Sequence, residues 1–165
     1  MLEKKRRRYE LTAEEKRKLL DYGSIFLGIG IAGAFDGIVF HQLLQWHSVY
    51  MDTHRHGQIV SDGLFHAFTV AALIAAAIML WRAGHPGGLE RGKRLLLGGV
   101  LLGAGGFNLV EGIVNHHLLQ LHHVKQGDPY ELLYDLAYLA VSALIFAIGL
   151  SVRGGAGGRN RAASA

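Results

Sequence analysis

Four apolar runs, each close to twenty residues, constrain this chain more than anything else in it. They extend from about Tyr22 into Leu44, from about Gly63 to Trp81, from Leu95 to about Val114, and from about Leu132 to Val152. About 20 apolar residues in helical form cross the hydrocarbon core of a bilayer. A helix also satisfies its own backbone hydrogen bonds there, where water cannot. Four such runs in 165 residues leave little sequence for a soluble core. The chain therefore reads as all-α: an integral membrane four-helix bundle over residues 22–152, behind a basic segment at 1–21 and ahead of a disordered, Gly-rich tail at 153–165. No internal repeat is apparent.

Charge sets the orientation. Lys4, Lys5, Arg6, Arg7, Arg8, Lys16, Arg17 and Lys18 precede the first run. Arg82, Arg91, Lys93 and Arg94 separate the second from the third, and Arg153, Arg159 and Arg161 follow the fourth. The two opposite loops hold only Arg55 and Lys125. By the positive-inside rule both termini are cytoplasmic. The basic charge follows membrane topology, which argues against nucleic acid as a partner. A charged stretch precedes the first apolar run, so no cleavable signal peptide is expected. Thr12-Ala-Glu-Glu15 has the form of a capping box and predicts a short amphipathic helix leading into the bundle.

Nine of the ten histidines then fall at the extracytoplasmic end: His41, His47, His54, His56, His66, His116, His117, His122 and His123. Asp36, Asp62, Glu111 and Asp135 accompany them on apolar helices. Ionisable groups in hydrocarbon are costly and need partners, and a metal ion is the most economical one for this set. On helices of 3.6 residues per turn, Asp36, Phe40, Leu43 and His47 share a face, with His41 to one side. Asp62, His66 and Thr69 share another. Asn108, Glu111, Asn115 and His122 form a stripe flanked by His116 and His123, while His117 points away. Asp128, Glu131, Asp135, Tyr138 and Ser142 form the fourth. These faces can be buried together only by turning inward, with the Gly33/Gly37 pair permitting close approach.

The expected site is an outward-opening pocket with Asp36 at its floor. His41, His47, His66, His116, His123, Asp62 and Glu111 are the candidate ligands. Asp36 and Glu111 are the candidate general bases or proton relays. Asn108, Asn115, Asp135 and Tyr138 are expected behind the ligands, orienting them. His54, His56 and His122 remain undecided. Imidazole and carboxylate suit zinc, iron, manganese or divalent copper. The absence of cysteine excludes thiolate sites. The donors outnumber the needs of one ion, so a dinuclear centre is open. Redox or hydrolytic catalysis, metal carriage, and a b-type haem with histidines on two helices are the competing readings.

Two stretches carry a resemblance: Gly33-Ala-Phe-Asp-Gly-Ile-Val-Phe-His-Gln-Leu-Leu-Gln-Trp-His47, and Phe107-Asn-Leu-Val-Glu-Gly-Ile-Val-Asn-His-His117 with Leu121-His-His-Val124. Over about Tyr22 to Ser151 the chain resembles a bacterial family of four-helix membrane proteins known as domain of unknown function 2243. The resemblance implies a bacterial inner-membrane protein. It also implies an association with a respiratory oxidase or its copper-assembly proteins, which puts copper first and zinc or iron behind it. The Asp62-xxx-His66 pair is also similar to part of the copper-ligand pattern of membrane methane and ammonia monooxygenases.

Overall fold

The structure, a computed structural model, describes residues 10–154. Four long helices account for most of them. Helix α1, Ala13–Asp36, runs on without a break as a π-helical segment, Gly37–Leu43. Helix α2 is Arg55–Ala83. Helix α3, Gly92–Glu111, continues as a second π-helical segment, Gly112–Leu118. Helix α4 is Glu131–Gly154. All four are long and apolar enough to span a bilayer, and no strand occurs among the described residues.

The N-terminal capping box is formed. The Thr12 hydroxyl accepts from the Glu15 backbone N–H at 3.2 Å, and the Glu15 carboxylate accepts from the Thr12 N–H at 2.7 Å. It opens α1 itself, so the expected lead-in helix is the first turns of the first span. Nothing between Ala13 and Asp36 breaks the backbone ladder. Most of the expected tail, and the first basic cluster, lie outside the described residues.

Helices α1 and α3 form the centre of the bundle, with α2 packed on α1 and α4 on α3. Glycine sets the central crossing. A Cβ at Gly28 would overlap the Val100 carbonyl oxygen, and one at Gly103 would overlap that of Ile25. Large apolar side chains remain exposed along every helix, Leu64, Ile74, Val110 and Leu144 among them. In hydrocarbon such faces are at home, so packing between the helices rests on small residues and polar contacts.

The two halves of the molecule are copies of each other, which corrects the reading of the sequence as free of repeats. Residues 36–47 and 111–122 share the pattern acid-Gly-Ile-Val-x-His-x-Leu-Leu-Gln-x-His, 75 positions apart. Ile25/Val100 and Gly28/Gly103 keep that offset across the central crossing. Helices α2 and α4 correspond at an offset of 73, matching Asp62 to Asp135 and Thr69 to Ser142. Loop hydrogen bonds repeat as well, in reciprocal form. The Met51 N–H donates to the Leu121 carbonyl at 3.2 Å, and the Gln126 N–H to the Trp46 carbonyl at 3.2 Å. Each half thus donates to the other what it receives, as across an isologous interface.

Candidate metal centre

The π-helical segments explain which side chains meet. An α-helix turns about 100° per residue, so residues five apart diverge by about 140°. A π-helix bonds i to i+5 and brings such residues back towards one face. The Leu44 N–H donates to the Val39 carbonyl at 2.8 Å, and the Leu119 N–H to that of Val114 at 2.8 Å. Asp36 and His41 therefore come together, as do Glu111 and His116. Gln45 (φ 52°) and Gln120 (φ 49°) then take the left-handed conformation. That reversal folds each loop across the end of the bundle and returns His47 and His122 to the acids.

Two triads result, Asp36–His41–His47 and Glu111–His116–His122, each with its donor atoms within 4.8 Å of one another. His41 Nε2 lies 3.0 Å from Asp36 Oδ2, and His47 Nε2 3.9 Å from Asp36 Oδ1. His116 Nε2 and His122 Nε2 lie 3.1 and 3.0 Å from Glu111 Oε1. Donors about 2.0–2.1 Å from a tetrahedral ion would stand about 3.3 Å apart, so these spacings suit coordination. The triads adjoin. The His47 and His122 rings stack with centroids 4.5 Å apart and planes at 5°. His41 to His122 and His47 to His116 are 6.3 and 6.4 Å.

The far nitrogen of three of the four rings is hydrogen-bonded, and that of His116 faces a carboxylate at ion-pair distance. His47 Nδ1 lies 2.7 Å from the Val124 carbonyl, and His122 Nδ1 2.9 Å from that of Val49. A carbonyl only accepts, so Nδ1 carries the proton and Nε2 of the neutral ring carries a lone pair. His41 Nδ1 lies 3.0 Å from Asp62 Oδ1, and His116 Nδ1 3.3 Å from Asp135 Oδ1. Those two carboxylates are themselves fixed by the backbone N–H groups of Val49 and Val124, each at 2.9 Å. The Nε2 atoms of all four rings thus face Asp36 or Glu111. All six donor residues are buried. Burial, with His122 and His41 alongside, pushes His47 down to about 3, so no proton competes for its Nε2 at neutral pH. His41 Nε2, His47 Nε2 and Glu111 Oε2 have no hydrogen-bond partner among the described residues.

The remaining candidates fall around this centre. Asp62, expected as a ligand, and Asp135, expected behind the ligands, stand on the Nδ1 side of His41 and His116 respectively. His66 joins neither triad. Its ring packs on Gly37, where a Cβ would lie 2.6 Å from Cε1. The equivalent residue, Leu139, packs on Gly112 in the same way. His123 also joins neither triad. It sits at the edge, with Nδ1 2.6 Å from Asp135 Oδ2. The Tyr138 ring packs on His116 at 5.5 Å, matching Phe65 on His41 at 5.4 Å. Asn108 Oδ1 is buried with no hydrogen-bond partner among the described residues. Asn115 lines a cavity beside Glu111. His54, His56 and His117 are exposed. His47 and His122 come from the two loops, which are hydrogen-bonded to each other across this end of the bundle. His122, left undecided from the sequence, belongs to the second triad, and the acid–His–His spacing repeated at 36–47 is the signal that finds it.

No curated protein and no solved structure matches the chain. The model of one family does match, over residues 23–155, and its description is that of a predicted membrane protein. Those residues take in all four helices and both triads, and the chain belongs to that family, DUF2243.

Proposed function

We propose that this is a membrane-embedded dinuclear metalloenzyme in which each ion is held by two imidazoles and one carboxylate. The observation that carries the reading is the orientation of the four rings. Three of them bond Nδ1 to an acceptor behind the ring, His116 turns Nδ1 towards Asp135 at 3.3 Å, and all four turn Nε2 towards Asp36 or Glu111. Acceptors behind the ring are how metal-ligating histidines are held. Charge supports it. Asp36, Asp62, Glu111 and Asp135 are buried, and none of their ion pairs among the described residues is with Lys or Arg. With neutral imidazoles the four carboxylates need two divalent cations for balance.

Two histidines and a carboxylate form the donor set of non-haem iron with open positions, and also of catalytic zinc. Iron therefore moves ahead of copper, with zinc second. When bound, such ions activate water or supply electrons for oxidation. Glu111 Oε2, unpartnered beside the second triad, is placed to hold a proton during turnover, and Asp36 occupies the equivalent position in the first triad. Catalysis fits better than carriage, because a carrier or assembly factor for a respiratory oxidase needs exchangeable, exposed ligands. The exposed histidines, His54, His56, His85 and His117, lie outside the triads. Haem fits poorly, because rings stacked 4.5 Å apart leave no room for a macrocycle. The excess of Lys and Arg on one side of the spans supports cytoplasmic termini and a centre on the extracytoplasmic side of a bacterial inner membrane.

Elemental analysis of protein purified in nanodiscs, with Mössbauer or optical spectra, tests this. Two ions per chain, falling to one or none in His47→Ala and His122→Ala, is the expected result. Substoichiometric metal after anaerobic loading with ferrous iron and with zinc would overturn it.

A further inference from the structure

The two triads leave one imidazole–carboxylate pair unused at the loop end of the bundle. It is His123 and Glu131, whose side chains are 30% and 29% exposed. Asp135 ties this pair to the centre. Its Oδ1 lies 3.3 Å from His116 Nδ1, and its Oδ2 lies 2.6 Å from His123 Nδ1. A carboxylate only accepts, so His123 Nδ1 carries the proton. Nε2 of the neutral ring then turns a lone pair towards Glu131 Oε2, 3.6 Å away. The other oxygen of Glu131 accepts from the Gly127 N–H, which fixes the carboxylate. Two acceptors that face each other call for a cation between them. Their spacing is close to the roughly 3.3 Å that separates donors on a tetrahedral ion. Neither Glu131 nor Asp135 is ion-paired with Lys or Arg among the described residues. Lys125, from the same loop, is taken by Asp128 at 2.8 Å.

The other half of the molecule has the same backbone here without the pair. The His123 N–H donates to Gln126 Oε1 at 3.0 Å, as the Ser48 N–H does to Met51 Sδ at 3.2 Å. Ser48 stands where His123 does, and Gln58 where Glu131 does. The Gln58 amide turns to Met51 Sδ at 3.9 Å. Imidazole and carboxylate thus continue outward from the centre on one side only. Their chemistry suits a borderline divalent ion such as zinc or ferrous iron. Zinc sites that retain their ion use three or four protein donors, so two donors hold one loosely and water completes the shell.

We infer that His123 and Glu131 form an outer, exchangeable cation position that receives zinc or ferrous iron and loads the buried centre from the second half. The loading role rests on the dinuclear reading, whereas the outer position stands on its own donors. All six triad residues are buried, so ions need a first point of capture. Asp135 supplies the link, since one carboxylate holds both the outer imidazole and His116 of the second triad.

Zinc binding to chelator-stripped, full-length protein in nanodiscs of zwitterionic lipid, with any purification tag removed, tests this. Equilibrium dialysis over a range of free zinc counts tight and weak ions, and stopped-flow transfer from a chromophoric chelator gives the uptake rate. One weakly held zinc is expected beyond the tight ones. His123→Ser and Glu131→Gln, which copy the residues of the other half, should each weaken it about tenfold or more. Each should also slow uptake about tenfold while leaving the tight ions in place. Ser48→His with Gln58→Glu should add a further weak ion on the first side. Absence of the weak zinc from the unaltered protein, or a weak zinc and an uptake rate unaffected by both single variants, would overturn the inference. Loss of the weak zinc with unchanged uptake would overturn the loading role. A weak, variant-sensitive zinc on a protein without tight ions would uphold the outer position and count against the dinuclear centre alone.

Discussion

Replacing Asp62 with asparagine should weaken both metal positions, although Asp62 touches a candidate ligand of only one. Asp62 Oδ1 accepts from His41 Nδ1 at 3.0 Å and from the Val49 N–H at 2.9 Å. The Val49 carbonyl in turn holds His122 Nδ1 of the second triad at 2.9 Å. A hydrogen bond to a charged acceptor contributes about 1.5–3 kcal/mol, and one to a neutral acceptor about 0.5–1.5 kcal/mol. An amide in place of the carboxylate therefore loses about 1 kcal/mol at each of the two bonds. Together that is about 2 kcal/mol, or about 30-fold in affinity. This falls within the range of about 10–100-fold found when the group behind a ligating histidine is altered. Competition against a chelator of known affinity, with zinc quantified at each step, measures it. Affinities within about threefold of the unaltered protein at both positions would refute the reasoning. A loss confined to the first ion would show that the Val49 segment does not couple the triads.

His66→Leu should keep its full complement of metal, since Leu139 fills the equivalent position on Gly112; elemental analysis decides it. Gly28→Ala and Gly103→Ala should each lower stability by about 1–3 kcal/mol or more through overpacking, because the added methyl meets a backbone carbonyl. Gly63→Ala, with open space around it, should be neutral or slightly stabilising, and thermal unfolding in detergent compares the three. Chelation should lower the unfolding temperature of the unaltered protein and have little effect on a His41→Ala/His116→Ala double variant, because binding to the folded state alone is stabilising.

The helical architecture was legible because a membrane span announces itself by length and apolarity alone, and 22–152 carries four. The acids were legible too, since Asp36 and Glu111 stand out in apolar runs. The histidines were harder to sort, for a geometric reason. Phase counted at 3.6 residues per turn sets His41 beside the Asp36 stripe and draws His66 into the site. The backbone changes period immediately after each acid, at Gly37 and Gly112, and that shift is what pairs Asp36 with His41. Phase at the α-helical period set His47 beside Asp36, and it does lie there, but from beyond the helix, in a loop reversed at Gln45. The one signal in the sequence that compensates for both effects is the repeat of 36–47 at 111–122. It escapes notice because the intervening apolar residues vary freely and the second helix of each half is displaced by two positions. The Ser48/His123 and Gln58/Glu131 differences between the two loops carry meaning only once the halves are superposed.

The crossed hydrogen bonds of His47 and His122 have a consequence for how the centre comes into being. Val124, from the second half, clamps a histidine of the first, and Val49 of the first clamps one of the second. Neither half by itself holds three donors in place. In the proposed centre, tight coordination would therefore be conditional on docking, and metal uptake would serve as a checkpoint on assembly. A chain cut within the 84–91 connection would gain high-affinity sites only when its two pieces reunite, so the ion would report that the interlock has closed.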